Sequence, residues 1–316
     1  MTMFIMLVGL PGSGKSTYAE KQFPTFKIHS SDAIREELSG DANNQSINEL
    51  VFKTLHKRVK DDLMAGKDVI YDATNLNWKR RKEFLKELNK IDCFKSCILV
   101  ATPIETCLSR NAKRDRKVPK EVIDRMYRNF DIPWYNEGWN SISVQYTEDC
   151  FKSCYGNWSK YTSGVMDYNQ ESKWHSLTLG EHCEKTYQYV LQQISTGISG
   201  RIATNEVLAA AALHDCGKPY CQTYKDSKGN DSDFAHYYNH ENVGAYDSLF
   251  FEKDFFTNSL YVAALIRYHM TLHFFKDWKP KTVAKYEKEF TEAKMLKEIG
   301  FYDTLKLLHE GDKYAH

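Results

Sequence analysis

Long apolar runs are missing from this chain: none approaches the length of a membrane span, and no basic stretch precedes a cleavable apolar segment at the start. Those absences point away from a membrane protein and predict a cytoplasmic location. Net charge is missing too, with 43 basic residues against 42 acidic ones, a formal +1. So small a balance exerts no global pull on a polyanion, and a nucleic-acid site has to come from local clustering. Zinc-ribbon spacing is absent among the eight cysteines. The pairs Cys93/Cys97 and Cys150/Cys154 are C-x-x-x-C and read as free thiols in a reducing compartment. There is no internal repeat and no low-complexity tract.

What is present suits two domains, because 316 residues exceed the comfortable size of one core. The stretch "VGLPGSGKST" follows the apolar "MFIMLV" and precedes a helix-like "STYAEKQF". Gly9, Gly14, Lys15 and Ser16 fit G-x-x-x-x-G-K-[ST]. In such a loop the backbone N–H groups of Gly9, Gly12, Ser13, Gly14, Lys15, Ser16 and Thr17 turn inward on phosphate oxygens, Lys15 reaches the outer phosphates, and Ser16 can hold Mg²⁺. ATP or another nucleoside triphosphate with Mg²⁺ is the expected ligand.

"FKIHSSDAIREEL" reads as a short strand, a Ser30 or Ser31 cap, and a helix. Asp32 then falls at a strand end near the phosphate loop, where catalytic groups collect in parallel sheets. It could equally be a charge complementing the helix dipole. A long amphipathic helix ending at Gly66 leads to "KDVIYDATNLNWKRRKEFLKEL", a buried strand, a polar turn and a helix opened by Trp78. "FKSCILVAT" is a further strand. Strands alternating with helices predict an α/β domain with a parallel sheet flanked by helices. The basic run "RNAKRDRKVPKEVIDRMYR" reads either as a solvated helix face or as a lid, with Arg110 and Arg114 four apart on one helical face.

"GLPGSGKST", the "SDxxR" from Ser31 to Arg35, "DATNLNWKRR" and "RNAKRDRKVP" together resemble the P-loop kinase module of polynucleotide 5′-kinases. The resemblance covers about residues 1–148 and includes "YNEGWNSISVQY" as that family's last strand. It implies Asp32 as the general base for a terminal 5′-hydroxyl and Arg35 on the neighbouring phosphate. Arg114, with Arg110, would clamp the donor phosphates, and Asp72, Thr74 and Asn75 would line the acceptor pocket. Asp72 fits a carboxylate behind Mg²⁺ equally well. One departure is Ser31, where the family's phage member carries an arginine.

Residues 149–172 lose periodicity and fill with Gly, Ser, Asn and Tyr, the composition of a linker. From 173 to 316 the apolar spacing is helical throughout, in "LTLGEHCEKTYQYVLQQI", "TNEVLAAAALHDCGKP", "HENVGAYDSLFF", "NSLYVAALIRYHM" and "FYDTLKLLHEGDKYA". His214-Asp215 ends an alanine-rich helix, and a carboxylate buried there needs a partner, which a metal supplies. The order His182, His214-Asp215, His240, His269, Asp312 resembles the HD-domain metal phosphohydrolases, an all-α fold. By that resemblance His182, His214, Asp215 and Asp312 hold one metal, and Asp215 can bridge to a second on His240 and His269. Mixed imidazole and carboxylate donors suit Mn²⁺, Ni²⁺, Co²⁺, Fe or Zn²⁺. Lys218 is a candidate phosphate contact and catalytic residue beside Asp215, and His175 and His236 are candidate substrate donors. A purely structural metal is the competing reading, though structural zinc prefers closed, locally spaced ligands.

A site that adds phosphate joined to one that removes it makes a futile cycle on a small metabolite. A polynucleotide, with two ends, removes the conflict. The expectation is an end-healing enzyme: an NTP-dependent 5′-hydroxyl kinase plus a metal-dependent 3′-phosphatase or 2′,3′-cyclic phosphodiesterase. RNA is the favoured substrate, with a ligase as possible partner. The alternatives are a small-molecule kinase fused to an HD nucleotide phosphohydrolase, and a nucleotide-sensing RNA-binding protein.

Overall fold

The computed structural model describes residues 1–146, 167–173, 176–198, 200–250, 258–292, 294–298 and 300–315. They fall into two compact units, one of Met1–Tyr127 with 131–146, the other of Arg128–Phe130 with 167–315.

The first unit is a five-stranded sheet in the order β2-β3-β1-β4-β5, every neighbouring pair parallel. Its strands are β1 (Thr2–Val8), β2 (Lys27–Ser30), β3 (Val69–Asp72), β4 (Cys93–Ala101) and β5 (Ser141–Tyr146). Phe4 to Val8 are buried almost completely, which is why the central strand reads as a continuous apolar run and not an alternating one. Helices α1 (Lys15–Gln22), α2 (Ser31–Ser39), α3 (Asn48–Met64), α4 (Trp78–Glu87), α5 (Ile104–Ala112) and α6 (Lys120–Arg128) connect or follow the strands. The starts of α2 and α4 are set by side-chain caps: Ser30 accepts from the Asp32 and Ala33 amides, and Asn77 from Arg80. Register aligns Leu7 of β1, Asp72 of β3 and Ser30 of β2 side by side. The loop after β1 and the start of α2 therefore meet at the carboxyl ends of the strands, where the chain order reverses.

The second unit is helical with one addition, a hairpin of β6 (Thr223–Lys225) and β7 (Asp231–His236). Its helices are α7 (Leu179–Ser195), α8 (Thr204–Leu213), the short α9 (Lys218–Cys221), α10 (His240–Ser248), α11 (Ser259–Tyr268), α12 (Pro280–Glu292) and α13 (Phe301–Tyr314). Thr178 and Glu181 cap α7 reciprocally, side chain to backbone in both directions. Ala209, Ala210 and Ala211 are buried, and their small side chains let α7, α11 and α13 close on α8. Gly217 has no room for a Cβ, which would collide with the His240 carbonyl. That contact brings the segment after His214-Asp215 onto the start of α10. Of the expected linker, 149–166 lie outside the described residues, whereas Gln170 is fully buried in the second unit.

Candidate active sites

At the first site, Gly12 and Gly14 both have positive φ, 83° and 92°. A Cβ on Gly12 would also meet the Cys107 carbonyl, so glycine is required there. Lys15 is buried and donates to the carbonyls of Gly9 (2.9 Å) and Leu10 (2.8 Å) and to Ser13 Oγ (3.3 Å). Burial pulls its pKa below the usual value; Asp72 opposes that shift, and Arg114 adds to it. Ser16 Oγ donates to Asp72 Oδ2 at 2.7 Å, which places the buried Asp72 behind the hydroxyl that would hold Mg²⁺. Burial raises the Asp72 pKa against the pull of Lys15 and Ser16. Thr74 contributes its carbonyl to the Gly9 amide. Asn75, at φ 51°, spends its amide on the Leu7 carbonyl, 2.7 Å away.

Asp32 is half-exposed, with Oδ1 2.9 Å from Arg35 Nη1 and Oδ2 paired with Arg116. Arg35 is buried and also donates to Asn48 Oδ1 at 2.8 Å, while its Nε is a buried donor with no protein acceptor. Arg116 went unassigned in the sequence, hidden among seven neighbouring basic side chains of one run. The pairing of Arg110 and Arg114 on one helical face does not hold. Helix α5 ends at Ala112, because Asn111 turns back to make two hydrogen bonds with Val118, at 2.8 and 3.0 Å. Arg114 thus lies in the loop that follows, within electrostatic reach of Lys15, and Arg110 in the last turn of the helix.

In the second unit, six residues from five segments converge. The Nε2 atoms of His182 and His214 are 3.0 Å apart, and those of His240 and His269 are 3.3 Å apart. Asp215 Oδ2 faces the first pair at 3.3 and 3.5 Å, and its Oδ1 faces the second at 3.2 and 3.5 Å. Asp312 Oδ1 lies 3.1 Å from His182 and 3.7 Å from His214. All six are buried. The Nδ1 atoms of His214, His240 and His269 sit 3.0, 2.7 and 2.7 Å from the carbonyls of Ala211, Tyr237 and Ile266. A carbonyl only accepts, so each Nδ1 carries a proton, which leaves each Nε2 free to turn a lone pair inward on a metal. Lone pairs facing each other across 3 Å repel unless a cation stands between them. Two groups, His182/His214/Asp215 and Asp215/His240/His269, have ligand atoms within 4.8 Å of one another. Ligand bonds of about 2.0–2.2 Å bring neighbouring donors to roughly these separations. The residues fit divalent metal, which these two groups, with Asp215 common to both, would hold.

Burial alone would raise the carboxyls of Asp215 and Asp312, yet both stay well below the usual range, held there most strongly by the Lys218 ammonium for Asp215 and by the adjacent His182 imidazole for Asp312. The Lys218 ammonium lies 2.6 Å from Asp215 Oδ2 and 2.8 Å from Gln170 Oε1. His273, one helical turn after His269, went unread, yet its Nε2 is 2.8 Å from Asp312 Oδ2. His236 sits on β7, against Ser232 and Tyr238, and His175 lies outside the described residues.

The two folds and their clusters define a P-loop kinase-type domain followed by an HD domain. Residues 4–133 match the AAA domain family and residues 179–299 the HD domain family. Among curated proteins, the chain is 33% identical over 156 residues to the L-seryl-tRNA(Sec) kinase of Methanococcus maripaludis, covering 46% of this chain and 60% of that one. It is 24% identical over 163 residues to the bifunctional polynucleotide phosphatase/kinase of Schizosaccharomyces pombe, covering 49% and 36%. A solved structure of the Pnkp1/Rnl/Hen1 RNA repair complex matches at 24% identity and a TM-score of 0.38, over 40% of this chain and 43% of that one. The chain thus spans three fifths or less of the length of these relatives. No described helix is long and apolar enough to cross a membrane.

Proposed function

We propose that this chain heals nucleic-acid ends. Its first domain (1–148) would phosphorylate 5′-hydroxyls from a nucleoside triphosphate, and its second (173–316) would remove or open the phosphate at 3′ ends. The observation that carries the reading is the pairing in one chain of a P-loop facing a carboxylate, Asp32, with a cluster whose Asp215 bridges two imidazole pairs.

An alcohol is a weak nucleophile, so the first reaction needs positioning, charge neutralisation and a base. Asp32 accepts the proton as the hydroxyl oxygen bonds to the terminal phosphorus and the bond to the bridging oxygen breaks, releasing the nucleoside diphosphate. Arg35, anchored by Asn48, presents its remaining donor capacity to the acceptor's phosphate. Lys15 and Arg114 neutralise the donor phosphates. Ser16 and Asp72 would hold Mg²⁺, which supplies further charge neutralisation. A polymeric acceptor is favoured by Trp78 at the start of α4, 40% exposed, with the Lys79 and Lys82 ammonium groups 5.9 and 5.8 Å from its ring centre. An aromatic face beside cations suits a base next to phosphates better than a sugar.

In the second domain His182, His214, Asp215 and Asp312 would hold one transition metal, and Asp215, His240 and His269 the other. When bound, such ions acidify a water and polarise the phosphorus–oxygen bond. Asp215 holds the two imidazole pairs together, and Lys218 fixes its orientation. The match of residues 179–299 to the HD domain family supports a metal site here, the similarity to the S. pombe polynucleotide phosphatase/kinase supports the end-healing reading as a whole, and the cytoplasm is the proposed compartment. The similarity to a kinase of seryl-tRNA supports a second reading of the first domain, transfer to a hydroxyl carried on an RNA.

The test is incubation with ATP, Mn²⁺ and RNA bearing 5′-hydroxyl, 3′-phosphate or 2′,3′-cyclic phosphate ends, against DNA, nucleosides and seryl-tRNA. Label on the 5′ end and loss of the 3′ phosphate are expected. Action on free nucleosides alone would overturn the reading.

A further inference from the structure

The hairpin β6–β7 supplies none of the six cluster residues, yet it exposes two large aromatic side chains on β7 and its continuation, Phe234 (48%) and Tyr238 (43%). Side chains alternate along a strand. Here the irregular ladder breaks that alternation, and the shared side is shown by contact: His236 meets both Ser232 and Tyr238, with the exposed Phe234 two residues from each end of the Ser232 contact. Ala235 and Tyr237 occupy the other, where Ala235 is buried and the Tyr237 hydroxyl donates to the Gln170 carbonyl. The His236 and Tyr238 rings are stacked, 5.4 Å between centroids and 6° from parallel, and His236 Nε2 is held 3.1 Å from Ser232 Oγ. The ladder is irregular between its two pairs, Thr223 opposite His236 and Lys225 opposite Asp231, and the Lys225 ammonium is spent on the Asp231 carboxylate. Thr223, opposite His236 in the ladder, adds a hydroxyl at its edge. The result is an aromatic surface bordered by hydroxyls, beside the Lys225–Asp231 ion pair.

Its position ties it to the imidazole cluster. The carbonyl of Tyr237 receives His240 Nδ1 at 2.7 Å, and Tyr238 is two residues before His240, hence within about 7 Å along the chain. We propose that this face is a base-stacking subsite. A nucleobase of a single-stranded end lies against Phe234 and the His236–Tyr238 stack while the adjoining phosphoester reaches the cluster. Every base has a π-face, so such a platform is tolerant of sequence. With the Lys225 ammonium paired to Asp231, the platform reads the ring more than the backbone charge. The inference rests on the proposed function only for the phosphoester at the cluster.

The experiment is a binding cycle by fluorescence anisotropy, with chelator present and no nucleoside triphosphate. The probes are single-stranded 3′-phosphate RNA with intact or abasic last two positions, each against the wild-type chain and Phe234→Ala/Tyr238→Ala. Binding by the first domain is the same in wild type and variant for a given probe, so the two chains are compared probe by probe. Removing the bases is expected to weaken wild-type binding about tenfold, and the variant to lose that preference. Phe234→Tyr/Tyr238→Phe should restore it. An equal ratio in wild type and alanine variant, or no preference in wild type, overturns the subsite. Phosphate release by wild type from the same RNA, with Mn²⁺, separates the two readings. A collapsed ratio without release keeps the subsite and discards end healing. Release with an unchanged ratio discards the subsite alone.

Discussion

His182 and His214 confront each other through Nε2 atoms 3.0 Å apart, with His214 already committed through Nδ1 to the Ala211 carbonyl. Removing one ring should therefore remove the reason for the cluster. His214→Ala is expected to lose bound transition metal, measured by elemental analysis of purified protein, and to lose 3′-phosphate release. The loss should exceed the roughly 10–100-fold typical of a merely supporting partner. The kinase activity should survive, and joint loss of both would argue against separate sites.

Chelation offers a check without mutation. A ligand that binds only the folded state stabilises it by mass action. Dialysis against a strong chelator should lower the melting midpoint of the second domain, and Mn²⁺ should restore it. Indifference of the midpoint to both treatments would count against metal at the cluster.

Asp32 is half-exposed between Arg35 and Arg116, so these ion pairs contribute little to stability. Asp32→Asn should leave the melting midpoint and nucleotide affinity near wild type. Phosphoryl transfer to a 5′-hydroxyl should fall about 10²–10⁴-fold, the usual worth of a general base. Retained transfer would refute the role.

Arg81 is a support of another kind. It is fully buried, makes two hydrogen bonds to the buried Glu137 at 2.8 and 2.7 Å, and holds the carbonyls of Asn75, Leu76, Asp131 and Ile132. Arg81→Met strands the carboxylate and should cost about 3–5 kcal/mol, read from the denaturant midpoint of the first domain. Restoration of the midpoint by Arg81→Met/Glu137→Leu would identify the stranded charge as the cause.

His56 packs on Phe84 at 4.1 Å between ring centroids. Burial holds its pKa below the ordinary 6.5, with Glu87 opposing. The unfolded chain then takes up a proton before the native one does. The stability tied to this ring is complete above pH 6.5 and is lost as pH falls towards the lower native value. His56→Phe should flatten the fall in melting midpoint on mild acidification, and an unaltered slope would exclude the ring as its source.

Much of the first site was legible because its parts are consecutive. A buried strand, a glycine loop with Lys15 and a capped helix are local chemistry, and the strand order then brings Asp72 and Asp32 to the same edge. The helical face assigned to Arg110 and Arg114 was not legible correctly. The Asn111–Val118 hydrogen bonds that end α5 span seven residues, and no propensity reveals them. His273 and Arg116 act through Asp312 and Asp32, partners 39 and 84 positions away.

By itself the sequence determined the residue types of both sites, the switch from alternating strands and helices to helices alone, and the order of the six cluster residues. These follow from local periodicity, turn chemistry and spacing along the chain. Only the tertiary structure decided that Asp215 splits its oxygens between two imidazole pairs, that Asp72 lies behind Ser16, and that the hairpin aligns His236 with Tyr238. Each of these needs segments distant in sequence, or one face of a strand, to be fixed to within an ångström or so, and only close packing does that.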